Sequence, residues 1–344
     1  MNLYRLLKFA SGRKMPHQFK LIGLAAMFRM RRRTAGVFMD PILACNLRCR
    51  MCYFSDPEKR SAMKGIISDR DLNQYAAAIF PYALKLQIGC GAEPTLYSGL
   101  GKIIALGRKY GVPYISLTTN GQLLASGKSP LEALVKAGLD ELTLSLHGTT
   151  AETYEYLMPG AKFELFKKLA AEIAHVKKLF PSFRLRVNYT VNSLNIHNLE
   201  GSKFWDLWQS GGFPDIVQLR PVQKIGISAW DDFNPGPLVK HFDTTIGAVA
   251  KECRRRGIIC ISPSREQIET IAEQQESTAA LIEDLTYVYV APDACYKDDF
   301  DADKETYAQY HKRKHTVRRL LKNAIHSSAS RDKKVSKKLN YSID

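Results

Sequence analysis

The chain has 344 residues, 45% of them hydrophobic, which is enough apolar material for one large core and a smaller extension. No run of about twenty apolar residues is present, so the sequence argues against a transmembrane helix. The N-terminus has no continuous apolar stretch with a cleavage site, which argues against a signal peptide. Seven cysteines, an odd number in a chain of this size, indicate a reducing compartment, and we predict a cytoplasmic protein.

The formal net charge of +16 is concentrated in the two ends of the chain. Residues 1–33 contain nine lysines and arginines and no acidic residue, and residues 311–338 contain eleven against one aspartate. We predict a basic amphipathic segment over 1–35, which lies either on the anionic inner face of the membrane or against the protein body. A basic helix and tail are predicted over 311–344. No RNA-binding motif is visible, which argues against nucleic acid as a partner.

Apolar, strand-like runs alternate with helical stretches through the body of the chain, as they do in a parallel α/β fold. The first helix between them begins near Ser68, a typical N-cap residue. Six βα units are too few to close an eight-stranded barrel, so we predict a partial (β/α)6 TIM-like barrel over 36–222. A small α+β accessory region is expected over 223–310. The predicted barrel strands are 36–43, 84–90, 114–120, 141–147, 184–192 and 215–222.

Three cysteines, Cys45, Cys49 and Cys52, follow the first predicted strand with the spacing C-x3-C-x2-C. Three thiolates on one short loop can hold three corners of an iron–sulfur cube, which leaves the fourth iron free for a substrate or cofactor. A zinc site usually has four Cys or His ligands, often as two C-x2-C pairs, and no second pair is present. The spacing therefore favours an iron–sulfur cluster, with zinc as the alternative.

Small and polar residues stand at the ends of the next three predicted strands. Gly91, Ala92 and Glu93 lie in the run CGAEPTL, where small residues let a backbone approach a ligand closely. Asn120 precedes a glycine in a sequence that also fits an ordinary turn. Ser145 begins the run SLHG. Each motif alone fits a turn, but catalytic groups of barrel folds gather where strands end, and all three lie there.

The fifth and sixth predicted strands add charged and polar candidates. Arg186, Asn188 and Thr190 alternate with apolar residues, so the period of two places them on one face, toward the barrel interior. Arg220, at the end of the sixth strand, is a second cationic candidate. His147 either moves a proton near neutral pH or holds a structural hydrogen bond.

In these motifs the chain resembles the radical S-adenosylmethionine (SAM) superfamily. Its members carry C-x3-C-x-Φ-C with an aromatic residue commonly at Φ, where this chain has Met51. The resemblance spans roughly residues 36–222. It implies a partial β/α barrel, a 4Fe–4S cluster held by Cys45, Cys49 and Cys52, and SAM bound at the fourth iron.

The resemblance also implies roles for the other motifs. The family run GGEPT, which meets the SAM amino group, corresponds to Gly91, Ala92 and Glu93 here, with Ala92 in place of a glycine. The polar residues that the family places near the SAM ribose correspond to Asn120 and Ser145.

The SAM carboxylate needs another partner than the one that many relatives use. Other branches place an arginine twelve residues after the serine to hold this carboxylate, but Leu157 stands there in this chain. Our candidates for the SAM ribose and carboxylate are therefore Asn188 and Arg186.

The resemblance also implies an activity. The enzyme would cleave SAM reductively to methionine and a 5′-deoxyadenosyl radical, and this radical would abstract hydrogen from a substrate. The electron would come from a donor such as flavodoxin or ferredoxin. The basic N-terminus favours a lipid-linked or otherwise anionic small-molecule substrate. A peptide or protein substrate is one alternative, and a non-catalytic iron–sulfur or zinc-binding protein is another.

The accessory region contains Cys253, Cys260 and Cys295. The run TYVYVAPDACYKDDF faintly resembles the SPASM or twitch extension that carries auxiliary clusters in many relatives. The dense cysteine set of that extension is missing, so buried structural cysteines are the default interpretation and an auxiliary cluster is the alternative.

Overall fold

The computed structural model describes residues 17–127, 130–223, 227–269, 285–314 and 342–343. The strands of this part of the chain are β1 (Ala35–Met39), β2 (Ala83–Ile88), β3 (Ile115–Thr119), β4 (Glu141–Ser145), β5 (Arg184–Val191), β6 (Ile216–Pro221), β7 (Ile259–Ser262), β8 (Tyr287–Ala291), β9 (Ala294–Cys295) and β10 (Ser342–Ile343).

The helices range from one turn to almost five turns in length. They are α1 (His17–Arg29), α2 (Pro57–Ala62), α3 (Asp69–Ile79), α4 (Leu100–Lys109), α5 (Gln122–Ala125), α6 (Leu131–Lys136), α7 (Ala151–Leu157), α8 (Phe163–Leu179), α9 (Lys203–Asp206), α10 (Gly236–Lys240), α11 (Ile246–Arg256), α12 (Arg265–Glu269) and α13 (Tyr307–Lys314).

All described strands lie in one sheet, in the order β10-β7-β6-β5-β4-β3-β2-β1-β8-β9. The strands from β7 to β8 in this order are parallel, and the short strands β10 and β9 pair antiparallel with the two outer ones. No ladder of the described strands joins β7 to β8, so the sheet is not closed. This confirms the predicted partial TIM-like barrel, whose six strands β1 to β6 carry the core.

The accessory region contributes to the same sheet. Strand β7 extends the barrel beyond β6, and strand β8 extends it beyond β1 at the opposite edge. The sequence placed both strands after residue 223 without indicating where they pair. The domain boundary at that residue stays a prediction.

Burial along the elements explains why they form where they do. In β5, Leu185, Val187, Tyr189 and Val191 are buried, whereas the alternating polar residues are less so. Helix α8 buries apolar residues at intervals of three and four, which is the period of one helix face. Helix α3 begins at the predicted cap, where Ser68 Oγ accepts a hydrogen bond from the Asp71 backbone N–H at 3.1 Å.

Two stretches of the chain are only partly helical. The stretch 198–210 contains only α9, because Gly201 takes a positive φ of 61° and ends the preceding 3-10 turn. The stretch 238–256 is divided into α10 and α11, since Thr245 Oγ1 donates to the His241 carbonyl and ends helical pairing there.

The first described helix packs on the protein body. In α1, Leu24 and Ala25 are buried, and the Phe28 ring lies 4.1 Å from the His311 ring of α13. None of the described helices combines the length and the apolar character that crossing a membrane requires. Residues 1–16 and 315–341, which carry much of the predicted basic segments, lie outside the described residues.

Arg33 joins the chain before β1 to two other elements. Its guanidinium donates to the carbonyls of Phe80 at 2.9 Å, Ala83 at 3.2 Å and Tyr110 at 2.8 Å. We expect Arg33→Gln to lower the free energy of unfolding by about 2 kcal/mol, because several charge-assisted hydrogen bonds are lost at once. Denaturant unfolding measures this. The control is Arg32→Gln, at the exposed neighbouring residue, which should change the free energy of unfolding by less than about 0.5 kcal/mol. Equal losses of stability in the two variants would contradict the structural role of Arg33.

Candidate functional site

The loop after β1 carries Cys45, Cys49 and Cys52 at the edge of the sheet where the parallel strands end. All three thiols are free and partly buried. Burial raises the pKa of Cys45 to about 12, and it raises the pKa values of Cys49 and Cys52 as well. Such thiols become thiolates when a metal offsets their charge, so the loop suits metal binding better than it suits a free reactive cysteine.

The spacing of the sulfur atoms distinguishes a cluster from a single metal ion. Sulfur ligands of one zinc ion lie about 2.3 Å from it, and hence within about 4 Å of one another. In the described part of the chain, only His197, Glu200 and His241 form a group of three potential ligands with all ligand atoms within 4.8 Å. The three cysteine sulfurs are not such a group, which favours a cluster, whose irons lie at separate corners, over a single zinc ion.

The cysteine loop is held from one side by the end of α7. The backbone N–H of Arg50 donates to the Leu157 carbonyl and that of Arg48 to the Pro159 carbonyl, both at 3.0 Å. Leu157, which stands where relatives have an arginine, is thus fully buried and contributes a backbone contact to the loop. From another side, Asn192 Nδ2 lies 3.0 Å from the sulfur of Met51.

Asp40, at the end of β1, forms a cradle for the loop after β2. Its buried carboxylate accepts hydrogen bonds from the backbone N–H groups of Cys90 at 2.7 Å and Gly91 at 3.0 Å. It also accepts one from the Tyr289 hydroxyl of β8 at 2.8 Å. Asp40 was not among the candidates drawn from the sequence, although a carboxylate inside the otherwise apolar predicted strand 36–43 is a signal that could have identified it.

Two glycines let this loop pass close to its neighbours. Gly89 has a φ of +82°, and a Cβ there would overlap the Thr118 carbonyl oxygen. A Cβ on Gly91 would overlap the Tyr53 hydroxyl, which donates a short hydrogen bond to the Gly91 carbonyl. Since Tyr53 directly follows Cys52, this bond fixes the end of the cysteine loop to the Gly91 loop. The Ala92 backbone N–H lies 3.4 Å from the Asp40 carboxylate.

Glu93 is almost completely buried, and both oxygens of its carboxylate accept hydrogen bonds. Oε1 accepts from the hydroxyls of Thr95 and Thr119, each at 2.6 Å, and Oε2 accepts from the Asn120 backbone N–H at 2.9 Å. The Glu93 backbone N–H donates to the Ala44 carbonyl at 2.9 Å, next to the first cysteine. Glu93 therefore joins the loops that follow β1, β2 and β3.

Asn120 connects the end of β3 to the cysteine loop. Its Nδ2 donates to Asn46 Oδ1 at 2.9 Å, and its Oδ1 accepts from the Gln122 backbone N–H at 3.0 Å. Both polar atoms of the side chain thus have protein partners, and the observed contacts position the loop.

Ser145 and Asn188 lie side by side in the β4–β5 ladder. The Oδ1 atom of Asn188 is buried and has no hydrogen-bond partner among the described residues. An acceptor left without a partner costs about 1–3 kcal/mol, so this atom indicates a place where a ligand donates.

His147, two residues beyond Ser145, is buried, and its Nδ1 accepts a hydrogen bond from the Thr190 backbone N–H at 3.1 Å. Burial, with a smaller effect of the Arg220 charge, lowers the pKa of His147 to about 4. The ring is therefore neutral at physiological pH, which favours the structural interpretation over proton transfer.

Arg186 lies deeper in the barrel and has an acidic partner. Its Nε is 3.4 Å from Oε1 of the fully buried Glu141, and Nη1 donates to Gln218 at 3.3 Å. Lys85 lies in the same deep layer, and burial lowers its pKa to about 8. By contrast, Arg220 has no ion pair with any residue of the described ranges. It lies near His147 at the mouth of the barrel, which is the end where the parallel strands finish.

The accessory cysteines do not converge. Cys253 and Cys260 are buried together on the β7 side of the sheet, whereas Cys295 belongs to β9 at the opposite edge. These three thiols cannot share one auxiliary cluster in this arrangement, which favours the interpretation as structural cysteines.

Comparison with known proteins agrees with the geometry. Residues 39–181 match the family described as the radical SAM superfamily. A probable GTP 3′,8-cyclase of Saccharolobus solfataricus is 28% identical over 196 residues, which are 55% of this chain and 59% of that protein. One of Methanococcus maripaludis is 25% identical over 249 residues, 72% of this chain and 73% of that protein.

A solved structure shows the same fold. Streptococcus suis SuiB bound to S-adenosylmethionine superimposes with a TM-score of 0.53 at 14% identity, covering 80% of this chain and 63% of SuiB. The chain spans 59% of the length of the Saccharolobus protein, so the whole activity of that relative is not carried over. The chain therefore carries a region, residues 39–181, that matches the radical SAM superfamily, and the enzymes of that superfamily use a 4Fe–4S cluster and SAM as cofactors.

Proposed function

We propose that this chain reductively cleaves SAM and uses the product to abstract hydrogen from a small polar substrate. The observation that carries the proposal is the linkage of the cysteine loop to the other strand-end loops through Tyr53, Glu93 and Asn120. When bound, the cluster and SAM supply a 5′-deoxyadenosyl radical. The chain's own residues position these groups and exclude water from them.

Each part of the mouth has a proposed role. Cys45, Cys49 and Cys52 hold the cluster. The loop of Gly91 and Ala92 offers backbone groups to the SAM amino end, because Asp40 and Tyr53 fix its conformation. Glu93 acts chiefly by positioning that loop, since its oxygens already accept several hydrogen bonds, and Asn120 acts in the same way.

The ribose and the carboxylate of SAM need polar partners on β4 to β6. The unpartnered Oδ1 of Asn188, beside Ser145, is suited to accept from ribose hydroxyls. For the carboxylate we favour Arg220 over Arg186, because the charge of Arg186 is already compensated by Glu141. An arginine without an acidic partner at the mouth is the stronger anion ligand.

The substrate class follows from the barrel wall. Gln87, Thr118, Asn188 and Gln218 line the interior with amide and hydroxyl groups, and the charged pair of Arg186 lies below them. This wall suits a polar or anionic small molecule better than an apolar chain, and GTP, from the names of the relatives, is one compound to test. A peptide substrate and a lipid-linked one remain alternatives, and the electron donor is expected to be a flavodoxin or ferredoxin.

The cysteines can be tested by reconstitution. Anaerobic reconstitution with iron and sulfide, followed by dithionite and SAM, should give 5′-deoxyadenosine and about four irons per chain. Cys45→Ala should abolish the product, because one corner of the cluster loses its ligand. Cys295→Ala is the matched control and should retain both iron and product. Formation of 5′-deoxyadenosine by Cys45→Ala, or loss of iron in Cys295→Ala, would count against the assignment of the three cysteines as cluster ligands. In a separate assay, addition of GTP tests whether this compound increases the rate of 5′-deoxyadenosine formation.

The role proposed for Arg220 can be tested by SAM binding. Arg220→Gln should weaken SAM binding to the reconstituted protein about tenfold, since one charge-assisted hydrogen bond to a carboxylate is lost. Arg220→Lys keeps the charge and should lose less. Equilibrium dialysis with labelled SAM measures both. If both variants bind SAM as the native chain does, another residue holds the carboxylate.

The lowered pKa of His147 makes the stability of the chain depend on pH. This pKa is lowered from 6.5 to about 4 in the folded chain. Between these two pH values His147 is therefore mostly protonated in the unfolded chain and mostly neutral in the folded chain. Stability is therefore fully present above pH 6.5 and decreases by about 3 kcal/mol as the pH falls to 4. His147→Asn keeps an acceptor for the Thr190 N–H without titrating. Denaturant midpoints measured across this range should fall less steeply in the variant, and parallel curves would refute the burial effect.

A further inference from the structure

A cavity of about 820 Å³ lies between the end of α1 and helix α13. Helix α1 leads directly into β1, and Tyr82, which lines the cavity, immediately precedes β2. The cavity is therefore at the end of the barrel where the strands begin. The cysteines lie at the other end, where the strands finish, so the cavity is separate from the cofactor site.

The rim of the cavity is cationic. Arg29, Arg31, Arg32 and Lys312 line it, and no acidic residue does. None of these four cations forms an ion pair with a residue in the described ranges. Arg33, the next residue in the chain, differs from them, because its guanidinium donates hydrogen bonds to three backbone carbonyls and is not available to a ligand. Cations in the last turn of a helix also stabilise the helix dipole, and both Arg29 of α1 and Lys312 of α13 are placed in this way. The dipole of each helix does not by itself explain why the cations of two different helices line the same rim.

The floor of the cavity is aromatic. The rings of Phe28 and His311 stack at 4.1 Å with planes 20° apart, and the buried Tyr307 contacts both residues. Tyr82 lies 5.9 Å from the Tyr307 ring. A flat or apolar group can pack on this floor while an anion meets the cationic rim.

The cavity lies where the described parts of the two basic segments come together. Helix α1 belongs to the first segment and α13 to the second. Arg313 and Lys314 of α13 pair with Asp299 and Glu305, but no acidic residue lines the cavity itself. Like charges repel, so the four cations of the rim gain from a bound anion.

We propose that this cavity binds an organic phosphate, with the phosphate on Arg29, Arg31, Arg32 and Lys312 and the attached organic group on the aromatic floor. The proposal is independent of the function proposed for the barrel mouth. Arginine suits it because the planar guanidinium matches phosphate oxygens in a bidentate way. The phosphate can belong to a soluble ester or to a lipid headgroup, and both present the same chemistry to the rim.

The test compares two charge variants of the full chain. The cavity variant carries Arg29→Gln, Arg31→Gln and Arg32→Gln. The control carries Lys168→Gln, Lys178→Gln and Lys251→Gln, three exposed lysines on α8 and α11 that lose the same net charge elsewhere. Calorimetry with 1-naphthyl phosphate, and with 1-naphthol as the uncharged analogue, tests the soluble source. Flotation with phosphatidylcholine vesicles with and without phosphatidic acid tests the lipid source.

We expect saturable binding in at least one arm, about tenfold weaker in the cavity variant and unchanged in the control. Binding of naphthyl phosphate alone assigns a soluble ester, and binding of phosphatidic acid vesicles alone assigns a lipid headgroup. Absence of binding in both arms, or equal weakening in the two variants, overturns the proposal. Thermal unfolding of both variants verifies the fold, and formation of 5′-deoxyadenosine should be the same in both.

Discussion

The buried carboxylate of Glu93 is the interaction on which the arrangement of the mouth depends. Its two oxygens gather donors from the loops after β2 and β3, and its backbone holds the start of the cysteine loop. A buried carboxylate is costly unless every oxygen is satisfied, so the loops can pack closely only when all of these donors are in place. The cysteine loop is thus held in position by a hydrogen-bond network formed by the chain's own residues.

Charge inside the barrel is divided into two layers. In the deep layer, Arg186 pairs with Glu141, and Tyr114 donates to the same carboxylate at 2.6 Å. In the upper layer, Arg220 and the Oδ1 of Asn188 have no such partners among the described residues. The paired charges of the deep layer serve the structure of the barrel interior, whereas the polar groups of the upper layer without such partners are available to a ligand. The distinction between these layers favours the upper one as the place where cofactor and substrate meet the protein.

Much of the fold could be read from the sequence, because local patterns encode local structure. The six barrel strands, the cap at Ser68 and the cysteine spacing all depend on residues close in the chain. What could not be read depends on contacts between distant segments. The cradle at Asp40 requires Tyr289, and the preference for Arg220 over Arg186 requires the partner Glu141 on another strand. The cavity between the two basic ends likewise forms only when the folded sheet brings α1 and α13 together.

The pairing of β1 with β8 has a consequence for how the protein is made. Asp40 and Tyr289 are separated by 249 positions in the chain, yet they share a hydrogen bond. During synthesis, one edge of β1 stays unpaired until residues 287–291 have left the ribosome. Contacts of such long sequence separation form slowly, because a large loop must close first. The three cysteines of a nascent chain are therefore exposed well before Tyr289 reaches Asp40 and completes the hydrogen bonds beside them. We therefore expect the cofactor to be inserted after synthesis of the chain is complete.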